Sequence, residues 1–218
     1  MTHSPLDARQ YAPATARNRE PILQVLQSEL PPTGTVLEIA SGTGEHAVYL
    51  APHLQPRRWL PTDVSPIACA SIAAWREQLQ PQGLSAPLTL DVRDPVWSVE
   101  SPVESSVESD ENLTDITAIV AINMIHIAPW AAGLGLLAGA ERILPTGGIL
   151  YLYGPFQRQG SHTAPSNAAF HASLQSQDPE WGVRHLEDVM AAAAAHQLQL
   201  STLVEMPANN LSVVFRRA

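Results

Sequence analysis

The run Val36-Leu37-Glu38-Ile39-Ala40-Ser41-Gly42-Thr43-Gly44-Glu45-His46-Ala47 constrains the fold more than any other part of the chain. An apolar stretch ends on an acidic residue, a loop of small residues follows, and an amphipathic stretch begins. That pattern predicts a strand, a tight turn and a helix N-terminus. Glycine at 42 and 44 lets the backbone turn sharply and leaves room for a ligand to lie against it. The helix that follows offers free N–H groups and the positive end of its dipole, a combination that suits a nucleotide-like ligand.

The same alternation continues downstream. A second strand is expected over 59–62, with Asp63 at its end. Ser65-Pro66 supplies an N-cap and a first-turn proline for a helix over about 66–80. A third strand over 87–90 closes at Asp91, and the apolar run from Ile116 to Asn123 suits a central parallel strand. Pro129 opens a helix to about Leu144, and Pro145-Thr146-Gly147-Gly148 turns the chain into a fifth strand over 149–153. A polar loop over about 157–165, helices over about 166–175 and 185–196, and strands over 198–205 and 211–215 complete the chain. The last two strands have only a short link, so they pair antiparallel. Upstream, Pro21 fits the first turn of a helix whose apolar face is Ile22, Leu23, Val25, Leu26 and Leu30. Residues 1–16 read as a flexible arm before it, and 17–218 as one α/β domain with helices on both faces of a mostly parallel sheet.

Bulk properties narrow the partners. The single cysteine, Cys69, excludes an internal disulfide and fits a reducing compartment. It lies in a predicted helix with no neighbouring basic residue, which argues against a nucleophile. Met1 to Glu20 is polar with no apolar signal region, and no stretch is apolar enough for a membrane span, so a cytoplasmic protein is expected. The net charge is −9, and the 12 basic residues are all arginines, scattered without a basic face. A small acceptor is therefore expected rather than nucleic acid. No metal is expected. Val-Glu-Ser recurs at 99–101, 103–105 and 107–109, read as a solvated acidic insertion over about 99–114 with no specific function.

Gly42-x-Gly44-x-x-Ala47, with Asp63 about 20 residues on, fits the dinucleotide fingerprint. By itself it does not separate NAD from S-adenosylmethionine, since both need an acid on a ribose after the second strand. Three features favour the latter. A carboxylate at Glu38, before the glycines, would repel a pyrophosphate but suits a ligand carrying an ammonium and a sulfonium. Asp91 is placed to meet the amino group of an adenine in the same crevice. The chain also ends in an antiparallel pair instead of a second mononucleotide half.

The order Glu38-x-Ala40-x-Gly42-x-Gly44, Asp63, Asp91 and Leu144-Pro145-Thr146-Gly147-Gly148 resembles class I S-adenosylmethionine-dependent methyltransferases over about residues 18–216. Ala40 stands where those enzymes usually have glycine, which implies a strand end that does not need a positive φ. More closely, Arg17-Asn18-Arg19-Glu20-Pro21-Ile22-Leu23, Asn123-Met124-Ile125-His126-Ile127, Leu152-Tyr153-Gly154-Pro155 and Met206-Pro207-Ala208-Asn209-Asn210-Leu211 resemble the family called domain of unknown function 938, with animal relatives named methyltransferase-like 26. Within that family Ala40 is ordinary. The resemblance implies a Rossmann-like, seven-stranded fold and methyl transfer from S-adenosylmethionine to an unidentified small molecule. The alternatives are an NAD(P)-dependent oxidoreductase and a non-catalytic S-adenosylmethionine-binding protein.

On this reading the loop residues Ala40, Ser41, Gly42 and Gly44 approach the amino-acid tail of the cofactor, and Glu38 binds its ammonium. Asp63 with Val64 takes the ribose, and Asp91 with Val92 frames the adenine. Arg17 and Asn18 belong to an N-terminal lid in which an arginine pairs with the cofactor carboxylate. Asn123 contacts cofactor or acceptor, His126 is a candidate general base, and Tyr153 lines the acceptor side. The tryptophans, Trp181 among them, read as packing. No Asn/Asp-Pro-Pro-Tyr/Phe motif follows the fourth strand, which argues against amino-group methylation of nucleobases.

Overall fold

A computed structural model describes residues 7–100 and 115–218. Seven strands form one sheet: β1 (Thr35–Ile39), β2 (Arg58–Asp63), β3 (Leu88–Thr89), β4 (Ile116–Ile122), β5 (Ile149–Gly154), β8 (Leu198–Met206) and β9 (Asn210–Arg217). A separate small hairpin, β6 (Gln157–Arg158) and β7 (Ser161–His162), occupies the stretch expected to be only a polar loop. The strand order is β3-β2-β1-β4-β5-β9-β8. Pairs from β3 to β5 are parallel, and β9 pairs antiparallel with both β5 and β8. The chain leaves β1 for β2 on one side and returns to β4 on the other, so the strand ends of β1 and β4 open a crevice of the kind that holds ligands in open α/β sheets.

Helices cover both faces. α1 (Thr15–Glu29) and α2 (Glu45–His53) pack through Ile22, Leu26, Ala47 and Leu50 against the face that carries Val36, Trp59 and Tyr151. α4 (Trp130–Ile143) and α6 (Leu186–Ala195) pack through Leu136, Leu137, Val189 and Ala193 against the face of Leu37, Ile39 and Ile119. α3 (Pro66–Leu79) begins at an N-cap in which Ser65 Oγ accepts from the Ala68 amide at 3.4 Å, and α5 (Pro165–Gln177) follows the hairpin. Adjacent residues Val36 and Leu37 thus enter different cores, as the two-residue period of a strand requires. The same period puts Glu38 on the α1/α2 face beside Trp59. The loop from Pro207 to Asn209 closes the last hairpin with Ala208 and Asn209 at φ 58° and 59°.

One expectation near the N-terminus needs correction, and the segment before α1 makes contacts that its composition does not reveal. α1 starts at Thr15, so Pro21 stands inside the helix and not in its first turn. There it removes the amide that would otherwise bond the Arg17 carbonyl. In the described part of the expected arm, residues 10–12 make long-range contacts. The Gln10 amide donates to Ser71 Oγ at 2.8 Å, Trp75 Nε1 donates to the Gln10 carbonyl at 3.1 Å, and the Ala12 amide donates to Glu45. Tyr11 meets the edge of Trp75 with ring centroids 5.1 Å apart. These contacts strap the segment across α2 and α3, a long-range arrangement that a polar composition does not reveal. The Val-Glu-Ser repeat lies mostly outside the described residues. Its first glutamate, Glu100, accepts from the Trp97 amide at 2.7 Å and pairs with Arg142 at 2.7 Å, so that residue is anchored and not simply solvated.

Candidate functional site

At the end of β1 the backbone and the side chains of Glu38, Ser41, Trp59 and Asp63 build one bonded unit. Glu38 is 1 % exposed, and its Oε2 accepts from Ser41 Oγ at 2.8 Å and from Trp59 Nε1 at 2.9 Å. Burial pushes its carboxyl up to about 7, against those two hydrogen bonds and with some help from the Asp63 charge. Ser41 ties the loop to β2, its amide donating to the Thr62 carbonyl at 2.9 Å and its Oγ accepting from the Thr62 amide at 3.2 Å. Asp63 completes the unit. Its Oδ2 accepts from the Gly42 amide at 2.9 Å, and its Oδ1 accepts from the Ser65 amide at 2.9 Å, at the cap of α3.

The backbone of this loop is left-handed at three positions. Ala40 has φ 55°, which overturns the expectation that alanine there marks a strand end without positive φ. The bonded frame around it holds a conformation that costs an L-residue about 1–2 kcal/mol. Gly42 (φ 57°) and Gly44 (φ 87°) have different reasons to be glycine. A Cβ on Gly42 would meet nothing within 4 Å, so this residue presents bare backbone to open space. A Cβ on Gly44 would stand 2.9 Å from the Ile72 Cα, so this glycine lets α2 and α3 approach each other.

Above the loop lies a cavity of about 520 Å³. Glu38, Ala40, Ser41, Gly42 and Asp63 form its floor, and Leu90, Asp91, Val92 and Arg93 one side. Asn123, Met124, Ile127 and Pro129, from the loop after β4, form the other side together with Trp181. The strapped N-terminal segment closes the glycine-loop end through Ala12, Ala14 and Thr15. His46, in the first turn of α2, also faces the cavity, and its Nε2 is 2.9 Å from Asn18 Oδ1. Desolvation, with the Arg19 charge, brings His46 down to about 4, so it is neutral near pH 7. Asp91 pairs with Arg93 at 2.6 Å, and that partner holds its carboxyl below the usual carboxylate range.

Residues 9–217 match the family described as "Protein of unknown function (DUF938)". The chain belongs to this family. Among solved structures, it superposes on an O-methyltransferase family 2 protein from Planctomyces limnophilus, in complex with apigenin, with a TM-score of 0.70 at 19% identity, covering 94% of this chain and 60% of that one. It superposes on human N-acetylserotonin methyltransferase, in complex with SAM, with a TM-score of 0.72 at 10% identity, covering 94% of this chain and 53% of the human one. An O-methyltransferase family protein from Burkholderia thailandensis gives 0.72 at 11% identity over 94% of this chain and 57% of that one. The chain thus spans less than two thirds of the length of these proteins. At such identities the likeness is one of fold: the seven-stranded, Rossmann-like methyltransferase sheet with its antiparallel end.

In this DUF938 chain most of the sequence-expected residues converge on the cavity. Glu38, Ala40, Ser41, Gly42, Asp63 and Val64 line it, as do Asp91, Val92 and Asn123. Gly44, Arg17 and Asn18 do not line it. Arg17 is exposed on α1, and Asn18 reaches the cavity only through His46. Two of the three expected catalytic residues stand outside the cavity as well. His126 is fully buried in a 3-10 turn (Met124–His126), packed edge-on to Phe156 at 4.9 Å and against Gly154, with neither ring nitrogen hydrogen-bonded. Desolvation brings its imidazole down to about 3, so as placed it is a neutral core residue and not an accessible base. Tyr153 is 3 % exposed, and desolvation raises its phenol above the usual range, against the neighbouring Asn18 and Asn210 side chains. Asn123 alone of the three faces the cavity, at φ 61°, its amide donating to the Tyr153 carbonyl at 2.8 Å.

Sequence reasoning missed Ala12, Ala14, Thr15, His46 and Trp181 as cavity residues. His46 had a usable signal, since it stands two residues after Gly44 in the first turn of the loop's own helix. The others depend on long-range docking of segments that carry no pattern of their own.

Proposed function

We propose that the cavity binds S-adenosylmethionine and that the protein transfers its methyl group to a small-molecule acceptor. The observation that carries this reading is Glu38: a buried carboxylate on the cavity floor directly before the glycine loop, with its carboxyl raised to about 7. A carboxylate there favours a cationic tail and disfavours a pyrophosphate. Gly42, with nothing within 4 Å of a Cβ position, leaves the backbone open for that tail to lie against. Asp63, already held by the Gly42 and Ser65 amides, keeps lone pairs on both oxygens for ribose hydroxyls. Asp91 and Val92, with Val64 and Leu90 beside them, suit an adenine edge and face. When bound, the cofactor supplies a methyl group activated by its neighbouring sulfonium.

The task left to the protein is to position and to exclude water. The strap of Ala12 to Thr15 covers the tail, and Asn123 is the polar side chain nearest the β4 end of the crevice. The O-methyltransferase folds among the structural neighbours and the resemblance to methyltransferase-like 26 support the same assignment. A cytoplasmic location, in keeping with the single cysteine, is part of the same proposal; among the described residues no helix is long and apolar enough to cross a membrane. The test is calorimetric titration with S-adenosylmethionine, S-adenosylhomocysteine, NAD and NADP. Binding of the first two and not of the nucleotides is expected; tight NAD or NADP binding without either sulfur ligand overturns the assignment. Release of S-adenosylhomocysteine in an acceptor screen separates an enzyme from a binding module.

A further inference from the structure

Trp181 belongs to neither a strand nor a helix; it sits in the segment between α5 and α6 and reaches the cavity from the β4 side, away from the β2–β3 side that carries Asp63 and Asp91. Its position is fixed by the backbone around it. The Gly182 amide donates to the His126 carbonyl at 3.0 Å. The Arg184 guanidinium donates through Nε to the Ile125 carbonyl at 3.0 Å, and through Nη2 to the Ala128 carbonyl at 2.6 Å and the Glu180 carbonyl at 2.8 Å. One side chain thus clamps the segment bearing Trp181 to the loop after β4, and it keeps these bonds although desolvation works against its charge.

The wall made in this way differs in chemistry from the rest of the cavity. Ile127, 43 % exposed, stands open on it, beside Met124, Pro129 and Trp181, with Asn123 as its polar residue. The charged side chains of the cavity, Glu38, Asp63, Asp91 and Arg93, belong to the other half. A rigid indole among aliphatic side chains gains most from a flat ring, because stacking adds to the burial of apolar area and costs little conformational entropy.

We propose that Trp181 is the platform for the methyl acceptor, and that the acceptor is a flat, uncharged aromatic or heteroaromatic small molecule. The acceptor role rests on the reading of the cavity as an S-adenosylmethionine site; the platform itself does not. The experiment uses the full chain saturated with S-adenosylhomocysteine and titrates 1-naphthol, quinoline and the saturated analogue decahydro-1-naphthol, followed by calorimetry and by indole emission. The two aromatic probes should bind about three- to tenfold more tightly than the saturated one, the scale of an aromatic contact added to area burial. Trp181→Phe should keep aromatic binding within about threefold but lose the emission change, and Trp181→Ala should weaken it at least about tenfold. Both variants should bind S-adenosylhomocysteine as the wild type does.

The platform is overturned if a wild type that binds S-adenosylhomocysteine takes neither aromatic probe, if the saturated probe binds equally well, or if Trp181→Ala binds the aromatics unchanged. If the wild type does not bind S-adenosylhomocysteine, the cofactor reading fails instead. The same probes on the ligand-free protein, by the same criteria, then decide the platform alone.

Discussion

At the end of β1 a buried carboxylate has hydrogen-bond partners and faces the cavity; at the end of β4 a buried imidazole has neither ring nitrogen bonded and is turned away from it. Desolvation drives both groups toward their neutral forms, taking Glu38 up to about 7 and His126 down to about 3. The consequences differ. Glu38 lines the cavity with its carboxyl near neutrality, so on the proposed reading a bound ammonium would couple to its ionisation. His126 is neutral across the physiological range and touches Phe156 and Gly154. A strongly perturbed group marks a functional site only when it also has an outlet to a cavity, and here that condition separates the two.

The largest effect should come from the rigidity of the first region. Gly44→Ala combines a left-handed φ with a Cβ 2.9 Å from the Ile72 Cα, a backbone atom that cannot swing away. A stability loss of about 3 kcal/mol is expected by urea denaturation. Gly42→Ala carries only the cost of its φ, about 1–2 kcal/mol, and its main effect should be on S-adenosylmethionine binding. Equal stability losses for the two would mean that the loop does not divide its glycines between packing and ligand. Next in size, Asp63→Ala should weaken S-adenosylmethionine binding by about 2 kcal/mol, the scale of hydrogen bonds to a charged group. An unchanged dissociation constant would remove Asp63 from the site and leave it as the anchor of Gly42.

Much of this region was legible in the sequence because its logic is local. The strand, the glycines, Glu38 and the acids after β2 and β3 lie at fixed offsets, and the parallel sheet brings them to one edge. What was illegible depends on partners far along the chain. Ala40 looks like a sign of an unstrained strand end, yet the bonds between Ser41 and Thr62 and from the Gly42 amide to Asp63 hold its neighbourhood in a left-handed turn. His126 follows Asn123 by three residues and looked suited to a base, but the 3-10 turn at Met124–His126 rotates it into the core under Gly154. Trp181 reaches the cavity only because Arg184, three residues on, finds carbonyls more than fifty residues away.

The coupling at Glu38 gives a smaller effect with a definite sign. S-adenosylmethionine keeps its ammonium protonated through neutrality, so it should prefer the ionised carboxylate. With the carboxyl at about 7, affinity should rise about fivefold between pH 6 and pH 7, before the ligand ammonium itself begins to titrate. Calorimetry in buffers of different ionisation enthalpy should show proton release on binding near pH 7. Stability of the ligand-free protein should run the other way. A carboxyl raised in the folded state contributes stability below its ordinary pKa that is lost as pH rises through about 7. Glu38→Gln should flatten both profiles, and a binding profile that stays steep in this variant would assign the titration to another group.

The smallest effect tests the other region. His126→Leu replaces an imidazole with two unpartnered nitrogens by an apolar side chain of similar size. It should raise stability at pH 7 by about 1 kcal/mol, toward the lower end of the cost of a buried, unbonded polar group. A histidine lowered in the folded state contributes stability above its ordinary pKa that is lost as pH falls toward about 3. The advantage of the leucine variant should therefore grow from pH 6.5 down to pH 4. Part of the acid slope should survive, because His46, lowered to about 4, titrates through an overlapping window. S-adenosylhomocysteine binding and methyl transfer should be unchanged in His126→Leu. A variant that folds and binds S-adenosylhomocysteine but has lost methyl transfer would break the contrast with Glu38, because it would mean that the buried imidazole swings into the cavity during turnover.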